Sequence, residues 1–300
     1  MKIKDVAIFA NSDISRASQE EIKQFPPIQN KLVIADDVFI DKLQREESLK
    51  VFSACEPKGF NFSPQRQFGQ LYSFIRVNAP ESPPLEWDSD ERLQLCIGLS
   101  RLIHPTTISF EYSGRVRYKN NNILDIIPGP IAGFGAKTWV ASKEYRNWLT
   151  ESEGKELSSL FQTYFKVDLP KRVKGALWYL EYAFRSPFLD VRWLLVCIGL
   201  EYLIHTDRHN STRQFSFRVA KLAEEVGKSN FNEDKAREAY GMRSTLVHGQ
   251  LLRDLEEHKL ELYGEIEELL RIVIKKAILD SAFAGLFSSD ENIRKKWPIE

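Results

Sequence analysis

The segment Met242-Arg-Ser-Thr-Leu-Val-His-Gly249 sets a guanidinium, Arg243, five positions ahead of an imidazole, His248. Arginine is a permanent cation whose rigid fork of donors fits a phosphate, and histidine titrates near neutrality. Together they supply what RNA cleavage without a metal requires. One group removes the 2′-hydroxyl proton and another neutralises the charge that builds on phosphorus. Arg243 lies on what reads as the apolar stripe of a helix, with Ala236, Ala239, Tyr240, Leu246 and Val247. A guanidinium there is costly unless it is paired or faces a cavity or an interface.

Spacing alone is not specific. The arginine and histidine content predicts about one accidental R-x4–6-H match. A second does occur, Arg253 with His258, in a charged stretch that reads as a solvated helix start. Five residues of ideal helix turn through about 140°. Arg243 and His248 therefore converge only if the helix ends or distorts between them, or if a second subunit completes the site.

Other residues are candidates for support. Glu201 interrupts an apolar helix and has the charge to pair with Arg243, either within a site or as a structural ion pair. Ser244 and Tyr240 flank the arginine. Arg208, Arg213, Arg218 and Lys221 form a basic run with no acid between them, readable as an RNA-phosphate surface or as a solvated helix face. His104 and His205 each follow a Leu-Ile pair near a helix end, where the helix dipole favours a histidine. Residues 129–135 lack a phosphate-loop lysine pattern. No His/Asp cluster has metal-ligand spacing, so neither metal nor cofactor is expected.

The elements that must position these groups fall into two kinds. Residues 1–85 read as short strands: Asp5–Phe9, Lys31–Ala35, Asp37–Ile40 and Leu71–Val77, punctuated by Pro26-Pro27 and Pro83-Pro84. A helix capped by Asp88 or Ser89 should run to Pro105. Two strand-like runs, Thr107–Tyr112 and Arg115–Tyr118, and a Gly/Pro-rich loop come next. Ser142 is the expected start of a helix carrying Trp148, Leu157, Phe161 and Tyr164.

From Pro170 the pattern is helical. The first helix carries Val173, Ala176, Leu177, Leu180 and Phe184. A second, capped by Ser186 ahead of Pro187, runs to about His205. Ser211 or Thr212 caps a third that ends at Gly227, Asn232 caps a fourth that stops near Gly249, and a fifth carries Leu262 to Ala277. Short connections imply antiparallel neighbours. The expected architecture is an α+β N-terminal domain, 1–169, followed by an all-α up-and-down helical bundle, 170–300.

Tyr240-Gly-Met-Arg-Ser-Thr-Leu-Val-His-Gly249 resembles the end motif of HEPN domains, particularly the Apea-like branch. Trp193–Leu203 and Phe215–Ala220 are similar to the same branch, and the resemblance covers about residues 170–285. It implies a HEPN-like bundle of four or five helices, commonly a homodimer, with the R-x4–6-H motifs of two subunits meeting at a cleft. Active members are metal-independent endoribonucleases of toxin–antitoxin or phage-defence systems; others are inactive dimerisation or binding modules. Carried over, Arg243 and His248 match the motif, and Ser244 stands where active members often have Asn, Asp or His. RNA as substrate and an antitoxin or defence partner follow as expectations.

Composition narrows the setting. The chain has 300 residues, and its 42 Lys and Arg are offset by 42 Asp and Glu, so no global field draws it to nucleic acid or membrane. The three cysteines, Cys55, Cys96 and Cys197, lack CxxC spacing and fit a reducing cytoplasm. The longest apolar run, Trp193–Leu200, is too short to span a bilayer, and Met1–Ala10 does not read as a signal peptide. A cytoplasmic, soluble protein is the expectation.

Overall fold

A computed structural model describes residues 4–12, 28, 30–55, 70–79, 90–106, 108–120, 122–129, 148–207, 209–248 and 257–299. They divide into two compact units, one up to Gln162 and one from Thr163.

The first unit is built on six antiparallel strands: β1 (Asp5–Ser12), β2 (Leu32–Ala35), β3 (Val38–Lys42), β4 (Gln70–Arg76), β5 (Ser109–Lys119) and β6 (Asn122–Pro128). Their order is β2-β3-β4-β1-β5-β6. The central strand β1 has Ala7, Ile8, Phe9 and Ala10 all fully buried, as a strand covered on both faces must. On one face Ala7, Phe9, Leu71 and Ile75 pack with Val51 and Phe52 of helix α1 (Arg45–Cys55). On the other, Tyr72 and Phe74 meet the Trp148 ring at 5.8 and 5.7 Å. Helix α2 (Glu91–Ile103) touches β1 and β4.

Three expectations change here. The strand pieces either side of Ser113 are one strand, because Gly114 pairs within the ladder opposite Ala7. A side chain at Gly114 would meet the Ile127 carbonyl at 2.6 Å, so the glycine serves close approach, not a turn. The cap of α2 is Asp90, which accepts from the backbone N–H of Arg92 and Leu93 and pairs with Arg76 at 2.9 Å. The expected caps Asp88 and Ser89, and the helix start at Ser142, lie outside the described residues. Trp148–Thr150 are not helical, and α3 (Glu151–Lys166) opens on a capping box instead. Thr150 N donates to Glu153 Oε2 at 2.8 Å, and Glu153 N donates to Thr150 Oγ1 at 3.4 Å.

The second unit is helical: α4 (Lys171–Arg185), α5 (Leu189–Ile204), α6 (Ser211–Glu225), α7 (Glu233–Val247), α8 (Glu257–Leu279), the short α9 (Ser281–Gly285), a single 3-10 turn (Leu286–Ser288) and α10 (Asp290–Lys296). The nearly all-apolar α5 is its centre and contacts α4, α6, α7 and α8. Trp193, Val196, Cys197, Leu200 and Leu203 are fully buried along it. Burying each such side chain is worth roughly 1.5–3 kcal/mol, which holds the neighbouring helices in place.

The caps differ from expectation at two ends. Phe188, not Ser186, precedes α5; the Ser186 carbonyl instead accepts from the buried Arg192 Nε at 2.6 Å. Asn210, in a left-handed conformation, precedes α6, so Ser211 is already helical. The other end of α6 follows the sequence. Gly227 has φ +77°, and the Lys228 N–H reaches back to the Ala223 carbonyl at 2.8 Å. Among the described residues no helix is long and apolar enough to cross a membrane.

Candidate functional site

Helix α7 starts as its sequence dictates. Asn232 accepts from the Lys235 backbone at 3.1 Å, and Glu233 and Asp234 complement the helix dipole in the first turn. Ala236 and Ala239 are small enough for α5 to approach, and the Trp193 indole N–H donates to the Ala239 carbonyl at 3.0 Å. The Tyr240 ring lies 4.6 Å from that of Phe215, centroid to centroid.

One turn further, Arg243 meets the charge that interrupts α5. Its Nη2 donates to Glu201 Oε2 at 3.1 Å, and the Tyr240 hydroxyl donates to Oε1 of the same carboxylate at 3.0 Å. The guanidinium also sits over the Tyr240 ring, 5.3 Å from its centre. The pair is half-buried, with side chains 26% and 17% exposed. Arg243 Nε is buried and has no acceptor among the described residues, so one donor of the anchored fork is unspent. Burial pushes the Tyr240 phenol above its ordinary value, which keeps it a donor to Glu201.

His248 is exposed at the end of α7. It is the C-cap, and its backbone N–H donates to the Ser244 carbonyl at 3.2 Å. Because α7 runs unbroken through Val247, the helix neither ends nor distorts between Arg243 and His248. The turn of about 140° therefore stands, and within one chain the two side chains leave different faces. Val247, expected on the stripe, is 56% exposed beside His248. Ser244 is half-buried and contributes the carbonyl that caps the histidine. In the second R-x4-H match, His258 lies 3.3 Å from Glu238, and Arg253 is outside the described residues.

The basic run does not form one surface. Arg218 is only 3% exposed; its Nη1 donates to the His205 carbonyl at 2.5 Å and its Nε to the Trp297 carbonyl at 3.5 Å. It is a buried clamp on two chain ends, not a phosphate contact. Lys221 is paired with Glu224 at 2.9 Å. Arg213 is exposed and lines an open hollow with Ser211, Thr212 and Arg237. Arg208 lies outside the described residues.

A second cluster was not read from the sequence. His205 does cap α5, but its ring is held by more than a helix dipole: Nε2 lies 3.1 Å from Asp207 and Nδ1 3.4 Å from Asp290. Arg294 reaches both Asp207, at 2.7 Å, and the His205 ring, at 3.0 Å, while Arg172 pairs with Asp290. The bond to His205, with Arg294 assisting, holds the Asp207 carboxyl below its ordinary range. Only the short spacing of His205 and Asp207 signals the cluster in sequence; its other members are far along the chain. No family model, curated protein or solved structure matches this chain.

Proposed function

We propose that the chain is a metal-independent endoribonuclease whose site is completed by a second copy, with Arg243 of one subunit acting beside His248 of the other. The observation that carries the reading is the contrast between the two groups. Arg243 is anchored on Glu201 with its side chain partly exposed, while His248 stands exposed at the end of the same uninterrupted helix. One chain holds an oriented cation and a free base on different faces, and a two-fold arrangement brings complementary halves together.

In this mechanism a His248 imidazole takes the 2′-hydroxyl proton and the 2′-oxygen attacks phosphorus. The 5′-oxygen leaves with a proton from an imidazolium, giving a 2′,3′-cyclic phosphate. Arg243 neutralises the phosphoryl oxygens as charge develops. Glu201 and Tyr240 are positioning residues that hold the guanidinium, Ser244 caps the histidine backbone, and Arg213, with Arg208, meets flanking phosphates. The succession of helices joined by short connections supports a HEPN-like up-and-down bundle, and the family resemblance alone carries the proposal that it acts in the cytoplasm with an antitoxin or defence partner. RNA incubated in EDTA should be cut by the wild type and not by His248→Ala. Equal behaviour of the two proteins contradicts the reading.

A second reading is favoured by the Glu201–Arg243–Tyr240 set, in which both carboxylate oxygens are engaged without substrate. On it the unit is a catalytically inactive module that dimerises or binds a nucleotide or protein. Arg243→Ala would then impair dimerisation, and no cleavage would be seen in any variant.

A further inference from the structure

A cavity of about 620 Å3 opens at the C-terminal end of α5, a size suited to a small ligand. The first turn of α4 and the 3-10 turn close its sides. Its charged lining is unbalanced. Lys171, Arg172 and His205 face it, with hydroxyls from Tyr202, Thr206 and Ser288. Its acid is Glu201, and both oxygens of that carboxylate are already engaged, by Tyr240 and Arg243. The Lys171 ammonium has no partner among the described residues. Arg172 spends one nitrogen on Asp290 and another on the Tyr202 carbonyl at 3.3 Å, which fixes its fork and leaves further N–H donors.

Two further features point the same way. Pro170 precedes the 15-residue α4 without a side-chain cap and its carbonyl accepts from the Val173 N–H at 3.0 Å, so the orphan donors at the helix start are the backbone N–H groups of Lys171 and Arg172, two residues of the cavity lining. His205 holds its ring at the wall with φ +51° and ψ 124°, a backbone that glycine would adopt without strain. The lining also has apolar surface, from Pro170 and the partly buried Ile198 beside the half-exposed Tyr202 ring.

The geometry points to a binding site for a small phosphomonoester with a flat apolar or aromatic body. Its phosphate lies among Lys171, Arg172, Ser288 and the start of α4, and its body lies on Tyr202 and Ile198. The cavity shares Glu201 with the proposed cleavage site, but phosphomonoester binding does not depend on that reading.

The test is calorimetric titration of the full chain with phenyl phosphate, and with inorganic phosphate in a second arm. Phenyl phosphate should bind saturably and at least about tenfold more tightly than inorganic phosphate, because only it uses the apolar wall. Lys171→Glu should weaken binding by about tenfold or more without lowering the melting temperature, because Lys171 is exposed at a helix start that favours an acid. Lys171→Ala gives the same readout without a reversed charge, should the first variant fold poorly. Absence of saturable binding up to about 10 mM, equal affinity for the two phosphates, or indifference to both substitutions would overturn the site.

Discussion

Arg243 and Glu201, 42 residues apart, join α7 to α5 through a bond of 3.1 Å between Nη2 and Oε2, in a half-buried setting where neither charge has a full shell of water. Each residue looks misplaced on its own helix, and each accounts for the other. Glu201→Ala leaves the guanidinium partly buried without its carboxylate and should cost about 1–3 kcal/mol in denaturant unfolding. A double-mutant cycle with Arg243→Ala should recover a coupling of about 1 kcal/mol. Additive losses would mean that the pair does not hold the two helices.

The Tyr240 hydroxyl shares that carboxylate, and burial raises its pKa from the ordinary value of 10.0. The sign follows from linkage. The unfolded chain loses the phenolic proton first, so stability that is full below pH 10 drains away as pH rises through the folded-state value. The stability gap between wild type and Tyr240→Phe should therefore narrow above pH 10. A gap constant with pH would show that folding does not raise the phenol's pKa.

Glycines 227 and 241 should respond in opposite directions to the same substitution. Neither added methyl meets anything within 4 Å, but Gly227 has φ +77° and Gly241 lies within helix α7. Gly227→Ala should lower stability by about 1 kcal/mol, and Gly241→Ala should raise it by about 0.5–1 kcal/mol. Thermal unfolding of both variants reads the difference.

The thiols should be silent in the native protein. Cys55, Cys96 and Cys197 are buried and free, and burial pushes the Cys55 thiol up to about 11 and the other two higher. A thiolate reagent at neutral pH should titrate none of them until the chain unfolds. Reaction of one thiol in the folded protein would place it at an accessible surface.

The helices of the second unit were legible because their apolar residues recur at three and four, and because Asn232 and Gly227 punctuate them. The link between Glu201 and Arg243 was legible too, each being a charge stranded on an apolar stripe. Helix α1 was not, since only Val51, Phe52 and Cys55 of its residues are buried, too few to show a periodic stripe among charged and small residues. The start of α3 was signalled by Thr150-x-x-Glu153, a capping box outweighed by the apolar residues that precede it. Arg218 read as surface because a buried arginine that clamps carbonyls looks the same in sequence as one facing solvent. The His205 cluster draws Arg294 and Asp290 from the far end of the chain, and no periodicity encodes such a meeting.

The central claim is that the oriented arginine and the free histidine come from different copies. Mixing the inactive variants Arg243→Ala and His248→Ala tests it directly, because a mixed dimer pairs the intact Arg243 of one chain with the intact His248 of the other. The account predicts that RNA cleavage in EDTA, absent from either variant alone, returns in the mixture. No recovery in mixed dimers, beside an active wild type, would contradict it.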